Sequence, residues 1–160
     1  MKILIISDIH GNAYALKNVL RSHRTVDCVI LLGDGLDVAE EILQSFSDLK
    51  IFAVKGNCDM RPFFLGEPLK KLDFLTLEGK KIVFTHGDLY GVKYGDGGLI
   101  RLAKEHCADV VHYGHTHVPR ESYVDGIYYF NPGALSGYNS SYGLLTIDGN
   151  NLLFSHGKIV

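Results

Sequence analysis

The sequence lacks a long apolar segment and has almost no net charge. The apolar run after Met1 and Lys2 is ILII, too short for a membrane span of about 20 residues or for the core of a secretory signal. Sixteen Lys and Arg residues against 18 Asp and Glu residues give a formal charge of −2, so no broad basic field is available to hold a nucleic-acid backbone. We therefore expect a cytoplasmic protein with no membrane contact and no broad nucleic-acid surface.

Cysteine is scarce, and its spacing does not suggest cross-linking. The three cysteines, Cys28, Cys58 and Cys107, are far apart and form no CxxC pair. This pattern argues against a disulfide framework and against a structural zinc site. Reduced thiols agree with the expected cytoplasmic location.

Internal repeats, low-complexity tracts and linkers rich in Pro, Gly or Ser are also absent. The chain has 160 residues, of which 46% are apolar and 21% are charged. This length and composition suffice for one well-formed hydrophobic core. We therefore predict a single domain over residues 1–160.

The first half of the chain alternates between strand and helix patterns. Short apolar, β-rich runs predict strands at residues 2–7, 27–32 and 50–55. Apolar residues recur at helical spacing between these runs, at Ala13, Leu16 and Leu20 and again at Val38, Ile42 and Phe46. Asn12 is the expected N-cap of the first helix, and Asp37 is a weaker candidate for the second. Strands joined by helices in this way are expected to be parallel.

Hairpin patterns are more frequent in the second half. Residues 72–78 and 81–85 flank Gly79 and Lys80 as a hairpin, and turns follow at Asp125–Gly126 and around 148–151. A helix containing Leu99, Leu102 and Ala103 and a buried strand at 108–113 lie between these hairpins. We predict a four-layer α/β/β/α sandwich built from two mixed sheets.

Polar side chains suited to metal binding follow five of the predicted strands. Because ligands bind at the carboxyl ends of strands in open α/β sheets, these residues are expected to meet at one edge. Glycine lies next to nearly all of them and allows the tight turns of a crowded site. The candidate metal ligands are Asp8, His10, Asp34, Asn57, His86, His115 and His117.

Two carboxylates, four imidazoles and one amide oxygen exceed the four ligands of a closed zinc site and suit two divalent cations. Asp34 has two oxygens and is expected to bridge ions about 3.5 to 4 Å apart, with a water between them that ionises to hydroxide near neutral pH. The resulting site is slightly positive and suits a singly charged phosphodiester. A doubly charged monoester would favour extra arginines, and only Arg61 and Arg120 lie just beyond the ligand motifs.

Several of these residues also have simpler interpretations. Asp8 and His10 alone would suggest a strand-end turn, and the Gly33–Asp34 pair alone is only a turn signal. His112 is expected to be a core histidine with its hydrogen bonds satisfied. The apolar residues Phe63, Phe64 and Leu65 are expected in the core, with a contact between copies of the chain as the alternative.

The ordered motifs DIH at 8–10, GD at 33–34, GNCD at 56–59, THG at 85–87 and GHTH at 114–117 resemble the calcineurin-like metallophosphoesterase superfamily. NPGAL at 131–135 resembles a further motif of that group. In its small size the chain is similar to the compact bacterial and archaeal phosphodiesterases, which are relatives of the retromer subunit of the same fold. The resemblance implies manganese most often, with nickel, iron, zinc or magnesium as substitutes. It also implies one metal bound by Asp8, His10, Asp34 and His117 and the other by Asp34, Asn57, His86 and His115.

Two positions depart from the family pattern. Many members have a histidine, able to protonate the leaving group, where this chain has Cys58, and relatives often have a second histidine where it has Asp88. The general acid is therefore unassigned, with Cys58, Asp59 and Asp88 as candidates. A water molecule, or a leaving group whose own pKa is low, is the alternative to a side-chain acid. Asp88 could instead orient a ligand imidazole. Asn57 and Arg61 are candidate substrate contacts.

The sequence predicts a metal-dependent phosphodiesterase that acts through a hydroxide bound to two metals. The alternatives are a non-catalytic protein-binding scaffold of the same fold and a phosphomonoesterase.

Overall fold

A computed structural model describes residues 1–159 and contains three α-helices, one turn of 3-10 helix and twelve short strands in that range. The α-helices are α1 (Ala13–Ser22), α2 (Leu36–Leu43) and α3 (Gly97–Glu105), and the 3-10 turn is Asp88–Tyr90. The strands are β1 (Lys2–Ile6), β2 (Cys28–Leu31), β3 (Ile51–Ala53), β4 (Phe63–Phe64), β5 (Glu67–Pro68), β6 (Leu72–Leu77), β7 (Lys80–Thr85), β8 (Val110–His112), β9 (Arg120–Val124), β10 (Ile127–Asn131), β11 (Ser141–Asp148) and β12 (Asn151–Lys158).

Two five-stranded mixed sheets form the centre of the fold. The first has the order β12-β11-β1-β2-β3, with β1, β2 and β3 parallel and the β11–β12 hairpin antiparallel beside them. The second has the order β6-β7-β8-β10-β9, with β7, β8 and β10 parallel and an antiparallel strand at each edge. The parallel strands of both sheets therefore supply the strand ends at which a site can form.

Three hydrophobic clusters separate four layers. One joins α1 and α2 to the first sheet through residues such as Leu16, Leu20 and Val29. A second lies between the sheets and includes Ile30 and Phe84, and a third packs α3 against the second sheet. This arrangement confirms the predicted α/β/β/α sandwich of two mixed sheets.

The helix starts agree with the sequence pattern only in part. Asn12 caps α1 as predicted, because its Oδ1 accepts a hydrogen bond from the N–H of Ala15 at 3.2 Å. The prediction for Asp37 is wrong, since Gly35 occupies the N-cap position and Asp37 lies in the first turn of α2. The helix also ends at Leu43, so Phe46 packs against the same cluster from the following turn.

A two-stranded ribbon, β4–β5, was not predicted, and it separates the three apolar residues at 63–65. Phe64 is buried as expected, but Phe63 is 55% exposed and Leu65 is 45% exposed, so the core prediction is wrong for these two. Self-association through them stays a prediction.

His112 differs from its prediction. The imidazole is fully buried beside Phe130 and Phe154, and neither ring nitrogen has a hydrogen-bond partner among residues 1–159. His112 is therefore a core histidine, but its hydrogen bonds are not satisfied.

Among residues 1–159, no helix combines the length and hydrophobicity needed to cross a bilayer.

Candidate metal centre

The loops that follow β1, β2, β3, β7 and β8 meet at one edge of the two sheets. Backbone hydrogen bonds fix the loops to one another: the N–H of Asp8 donates to the Gly33 carbonyl at 3.0 Å, and that of His10 donates to the Asp34 carbonyl at 3.2 Å. In the second sheet the N–H of Gly114 donates to the His86 carbonyl at 2.9 Å. Hydrogen bonding therefore holds the loops in place independently of any ligand.

Backbone strain is concentrated at this edge. Five of the seven predicted ligands have positive φ angles, in a region that L-residues with side chains rarely adopt. Strain of this kind persists where the surrounding structure holds it and is common at functional sites. The residues are Asp8 (φ 53°), His10 (φ 42°), Asp34 (φ 60°), His115 (φ 66°) and His117 (φ 60°).

Two glycines allow these loops to approach closely. A Cβ at Gly56 would overlap the Asp34 Oδ1 atom, and a Cβ at Gly114 would overlap the Ser7 Oγ atom. Each position therefore requires glycine because of space, and neither glycine has a positive φ.

The first group of candidate ligands is Asp8, His10 and His117. The Oδ1 atom of Asp8 lies 3.0 Å from His117 Nε2 and 3.6 Å from His10 Nε2. The two imidazole Nε2 atoms are 3.3 Å apart. These three side chains place their ligand atoms within 4.8 Å of one another.

The second group is Asp34, His86 and His115, with Asn57 beside it. Around the Nε2 atom of His86 lie Asn57 Oδ1 at 3.0 Å, His115 Nδ1 at 3.1 Å and Asp34 Oδ2 at 3.3 Å. The same Asp34 oxygen is 3.9 Å from His10 Nε2. Asp34 therefore lies between the two groups.

The donor chemistry of this site fits a cation. The Nδ1 atom of His86 is 2.8 Å from the Leu32 carbonyl, which only accepts, so this nitrogen carries the proton of the neutral ring. The lone pair of Nε2 then points to the same place as the acceptor oxygens of Asn57 and Asp34. A cation at this point would bind the Nε2 lone pair and both oxygens together.

Asp8 gives a second indication that the site suits a positive charge. Its Oδ2 accepts hydrogen bonds from Ser7 Oγ at 2.6 Å and from the His115 N–H at 3.0 Å. Its Oδ1 is buried and has no aligned hydrogen-bond donor in residues 1–159, although His117 Nε2 is near. A buried carboxylate oxygen without a donor is costly unless a cation binds it.

The pKa shifts at the site follow from this crowding of acceptors. Burial alone would raise the pKa of Asp34, but the nearby His86 imidazole and the hydrogen bond from the Cys58 N–H outweigh it and lower the pKa. Burial alone would lower the pKa of His86, but Asp34 and Asp8 raise it. The pKa of His115 is lowered, by burial first and by His86 next. The pocket around His86 therefore favours a positive charge, which a metal would supply in place of a proton.

Asp59, a candidate acid in the sequence, instead organises the backbone. Its carboxylate accepts four hydrogen bonds of 2.8 to 3.0 Å, all from backbone N–H groups. These groups belong to Asp34, Gly35, Leu36 and Gly56. Asp59 is 8% exposed. Its hydrogen bonds connect the loop that carries Asp34 to the loop that carries Asn57.

Cys58 lies close to the candidate metal ligands, although the spacing of the cysteines argued against a structural zinc site. Its Sγ, an Asp34 oxygen and a His10 nitrogen all lie within 4.8 Å of one another. Its thiol pKa is raised by burial first, and then by the hydrogen bond to Asp34 and by nearby carboxylates. A thiol with a raised pKa is a weaker proton donor at neutral pH.

Asp88 and the two arginines make ion pairs. Asp88 Oδ2 accepts from Lys71 Nζ at 3.0 Å, and the His86 ring is oriented by Leu32 rather than by Asp88. Arg61 Nη1 donates to Glu40 at 2.9 Å, and Arg120 binds Asp96 through two bonds of 2.8 and 2.7 Å.

Three residues support the site by hydrogen bonds, and the sequence analysis gave none of them this role. Ser7 holds Asp8, and Lys71 also donates to the Gly56 carbonyl at 3.1 Å. Asn131 donates to the Gly114 carbonyl at 2.9 Å and to Thr116 Oγ1 at 3.0 Å, which fixes the GHTH loop. The NPGAL motif pointed to Asn131, whereas Ser7 and Lys71 carry no sequence signal of this role.

The calcineurin-like phosphoesterase superfamily domain matches residues 1–157. The chain belongs to this family. Phosphodiesterase YfcE of Escherichia coli strain K12 is 30% identical over 173 residues, with 92% of this chain and 89% of that protein covered. A conserved Streptococcus pneumoniae protein predicted to be a phosphoesterase has a crystal structure that superposes with a TM-score of 0.80 at 29% identity, covering 98% of this chain and 88% of that one.

The chain is also similar to a protein named for vacuolar protein sorting. Vacuolar protein sorting-associated protein 29 of Schizosaccharomyces pombe is 30% identical over 144 residues, with 86% of this chain and 73% of that protein covered. The predicted relationship to both compact phosphoesterases and the retromer subunit is therefore confirmed. Family membership implies divalent metal ions at the site, and the donor set described above fits them.

Proposed function

We propose that this protein is a phosphodiesterase that depends on two divalent metal ions, with manganese as the first candidate. The observation that carries the proposal is a pair of adjacent ligand groups at one edge of the two sheets. Asp8, His10 and His117 form one group, Asp34, His86 and His115 form the other, and Asp34 Oδ2 also lies 3.9 Å from His10 Nε2.

The residue assignment follows these groups. Asp8, His10, Asp34 and His117 would hold one ion, and Asp34, Asn57, His86 and His115 would hold the other. Bound divalent ions supply Lewis acidity, which activates water and offsets the negative charge of the phosphate. The chain itself keeps His86 in the tautomer whose Nε2 is free and keeps Asp34 ionised.

The surroundings of the site support a diester over a monoester. A doubly charged phosphate would favour an unpaired arginine, but Arg61 and Arg120 are both ion-paired to carboxylates. Two divalent ions would bring four positive charges, Asp8 and Asp34 bring two negative charges, and a hydroxide nucleophile would bring a third, which leaves a net charge of about +1. A substrate with a single negative charge needs the least additional help.

No side chain among the three candidate acids is free to protonate a leaving group efficiently. Asp59 is engaged by four backbone N–H groups, Asp88 is paired with Lys71, and the pKa of Cys58 is raised. The proposal therefore includes a preference for esters whose leaving group departs without protonation.

The scaffold alternative comes from the likeness to the vacuolar protein sorting-associated protein. It predicts that the ligand set has no catalytic task. The complete set of seven candidate ligands, the orphaned Asp8 oxygen and the converging lone pairs at His86 favour the enzyme.

The test is hydrolysis of bis(p-nitrophenyl) phosphate by metal-free protein with and without added manganese. We expect activity only with manganese, and a loss of at least about 100-fold in His86→Ala and Asp34→Asn, because even groups that only orient ligands contribute about 10 to 100-fold. His106→Ala and Asp148→Asn, which lie outside the site, are matched controls expected to keep the activity. Equal hydrolysis with manganese and with chelator would overturn the proposal.

A further inference from the structure

A pocket of about 190 Å³ lies beside the metal centre, between α2 and the segment 58–64. We call it the ring pocket. Leu36, Met60, Phe63 and Phe64 provide apolar wall, while Asp37, Glu40 and Arg61 provide polar groups. None of these residues is a predicted metal ligand.

The ring pocket is continuous with the metal centre through Cys58 and Asp59, which line it. The Cys58 N–H donates to Asp34 Oδ1 at 2.8 Å, and its Sγ lies within 4.8 Å of an Asp34 oxygen and a His10 nitrogen. Asp59 binds the N–H of Asp34 from the other side. A phosphate held at the metals would therefore place one of its ester groups next to this pocket.

The size of the ring pocket limits what it can bind. Drug-sized ligands occupy pockets of about 300 to 1,000 Å³, so a volume of about 190 Å³ suits one ring system rather than a whole second nucleotide or a pair of acyl chains. The apolar walls favour a flat, uncharged group.

Charge limits the ligand further. Arg61 is already neutralised by Glu40 at 2.9 Å, and the second Glu40 oxygen accepts the N–H of Leu65 at 2.7 Å. Asp37, in the first turn of α2, is exposed, has no hydrogen-bond or ion-pair partner among residues 1–159, and adds one negative charge at the pocket. A second phosphate is repelled there, whereas a ring that carries amino donors is attracted.

The exposed apolar side chains at the ring pocket are placed to contact a flat ring. Met60 is 87% exposed and Phe63 is 55% exposed. Aromatic and thioether side chains stack on flat ring faces with little dependence on which base is present.

We infer that the ring pocket binds one ester substituent of the phosphodiester, and that this substituent is a single flat ring with amino donors, as in a nucleobase. The inference rests on the proposed function for the position of the phosphate. It assigns nucleotide-type diesters as the substrate class and makes Phe63, Met60 and Asp37 residues that determine specificity.

The test uses manganese-loaded protein and measures binding by calorimetry, with adenosine 5′-monophosphate and ribose 5-phosphate as probes. Both carry the same phosphate, and only the first carries the ring. We expect the adenine compound to bind at least about tenfold more tightly, the scale of one stacked base. Phe63→Ala and Met60→Ala should each reduce this preference several-fold, and Asp37→Asn should reduce it for adenine more than for the same nucleotide without its amino group.

Tyr123→Ala, which removes an exposed aromatic side chain from β9, is the matched control and should keep the full preference. Equal affinity for the two probes, no measurable binding of the adenine compound, or a preference that survives both Phe63→Ala and Met60→Ala would overturn the inference. Failure of the proposed function gives a different result, because it removes manganese-dependent hydrolysis of bis(p-nitrophenyl) phosphate in the wild-type protein.

Discussion

At the scale of single residues, Asp59 connects the sequence motif to the geometry of the site. The carboxylate stands at the end of GNCD, where a catalytic role was a reasonable prediction. Its four backbone hydrogen bonds instead shape the turn that presents Asp34 and bring Gly56 against it. The sequence motif identified Asp59 but did not predict its structural role, because a motif does not show which backbone N–H groups a carboxylate binds.

Asp59→Asn is expected to destabilise the protein by about 3 kcal/mol, since hydrogen bonds to a charged group contribute about 1.5 to 3 kcal/mol each and the amide nitrogen cannot accept. Urea unfolding of metal-free protein measures this change. Asp148→Asn is the control, expected within about 0.5 kcal/mol of wild type as an exposed substitution. An unfolding free energy for Asp59→Asn equal to that of the control would show that the four bonds contribute little.

His112 predicts a specific sensitivity to acid. Burial lowers its pKa from 6.5 to about 3, so the folded protein holds it neutral where the unfolded chain binds a proton. Its contribution to stability is complete above pH 6.5 and is lost as the pH falls from 6.5 towards 3. The loss approaches about 1.4 kcal/mol per pH unit well below 6.5.

His112→Phe should remove this component while keeping the packing against Phe130 and Phe154. The difference in unfolding free energy between the variant and the wild type is expected to grow in favour of the variant between pH 6.5 and 4.5. Urea unfolding at a series of pH values measures it, and other titrating groups cancel in the difference. Parallel pH profiles for the two proteins would contradict this account.

At the scale of elements, the strand ends were the most predictable part of the fold. Strands β1, β2, β7 and β8 are short apolar runs that stop at a polar residue, and this pattern gave both the strands and the candidate ligands. The β4–β5 ribbon has only two residues per strand, too few for periodicity to indicate. The placement of β11 beside β1 was also not predictable, because a local hairpin signal does not say which sheet the hairpin joins.

Lys71, just before β6, connects two ligand loops. Its Nζ donates to the Gly56 carbonyl at 3.1 Å and to Asp88 at 3.0 Å, so it holds the Asn57 loop against the His86 loop. Lys71→Met is expected to weaken manganese binding about tenfold, as the loss of groups that orient metal ligands typically does. Calorimetric titration of metal-free protein with manganese measures this change.

Lys70→Met provides the control for Lys71→Met, because the Lys70 side chain is more exposed and its Nζ pairs, among residues 1–159, only with Asp73 at 3.2 Å. Its manganese affinity should equal that of the wild type. Lys71→Arg should restore part of the affinity, since it keeps the positive charge. An unchanged affinity in Lys71→Met would mean that the loops hold their places without the lysine.

At the scale of the whole molecule, the candidate metal centre depends on both sheets. The first sheet contributes Asp8, His10, Asp34 and Asn57, and the second contributes His86, His115 and His117. The sandwich is therefore what brings residues from distant parts of the chain together. Ligand types, strand ends and the position of Asp34 between the two groups were predictable from the sequence, whereas the tautomer of His86 required the packing of one sheet on the other.

The most direct test of this account is anomalous diffraction at the manganese absorption edge from crystals soaked in manganese. The account predicts two peaks per chain about 3.5 to 4 Å apart, both within bonding distance of the Asp34 carboxylate. One peak alone, no peak, or peaks that do not contact Asp34 would contradict it.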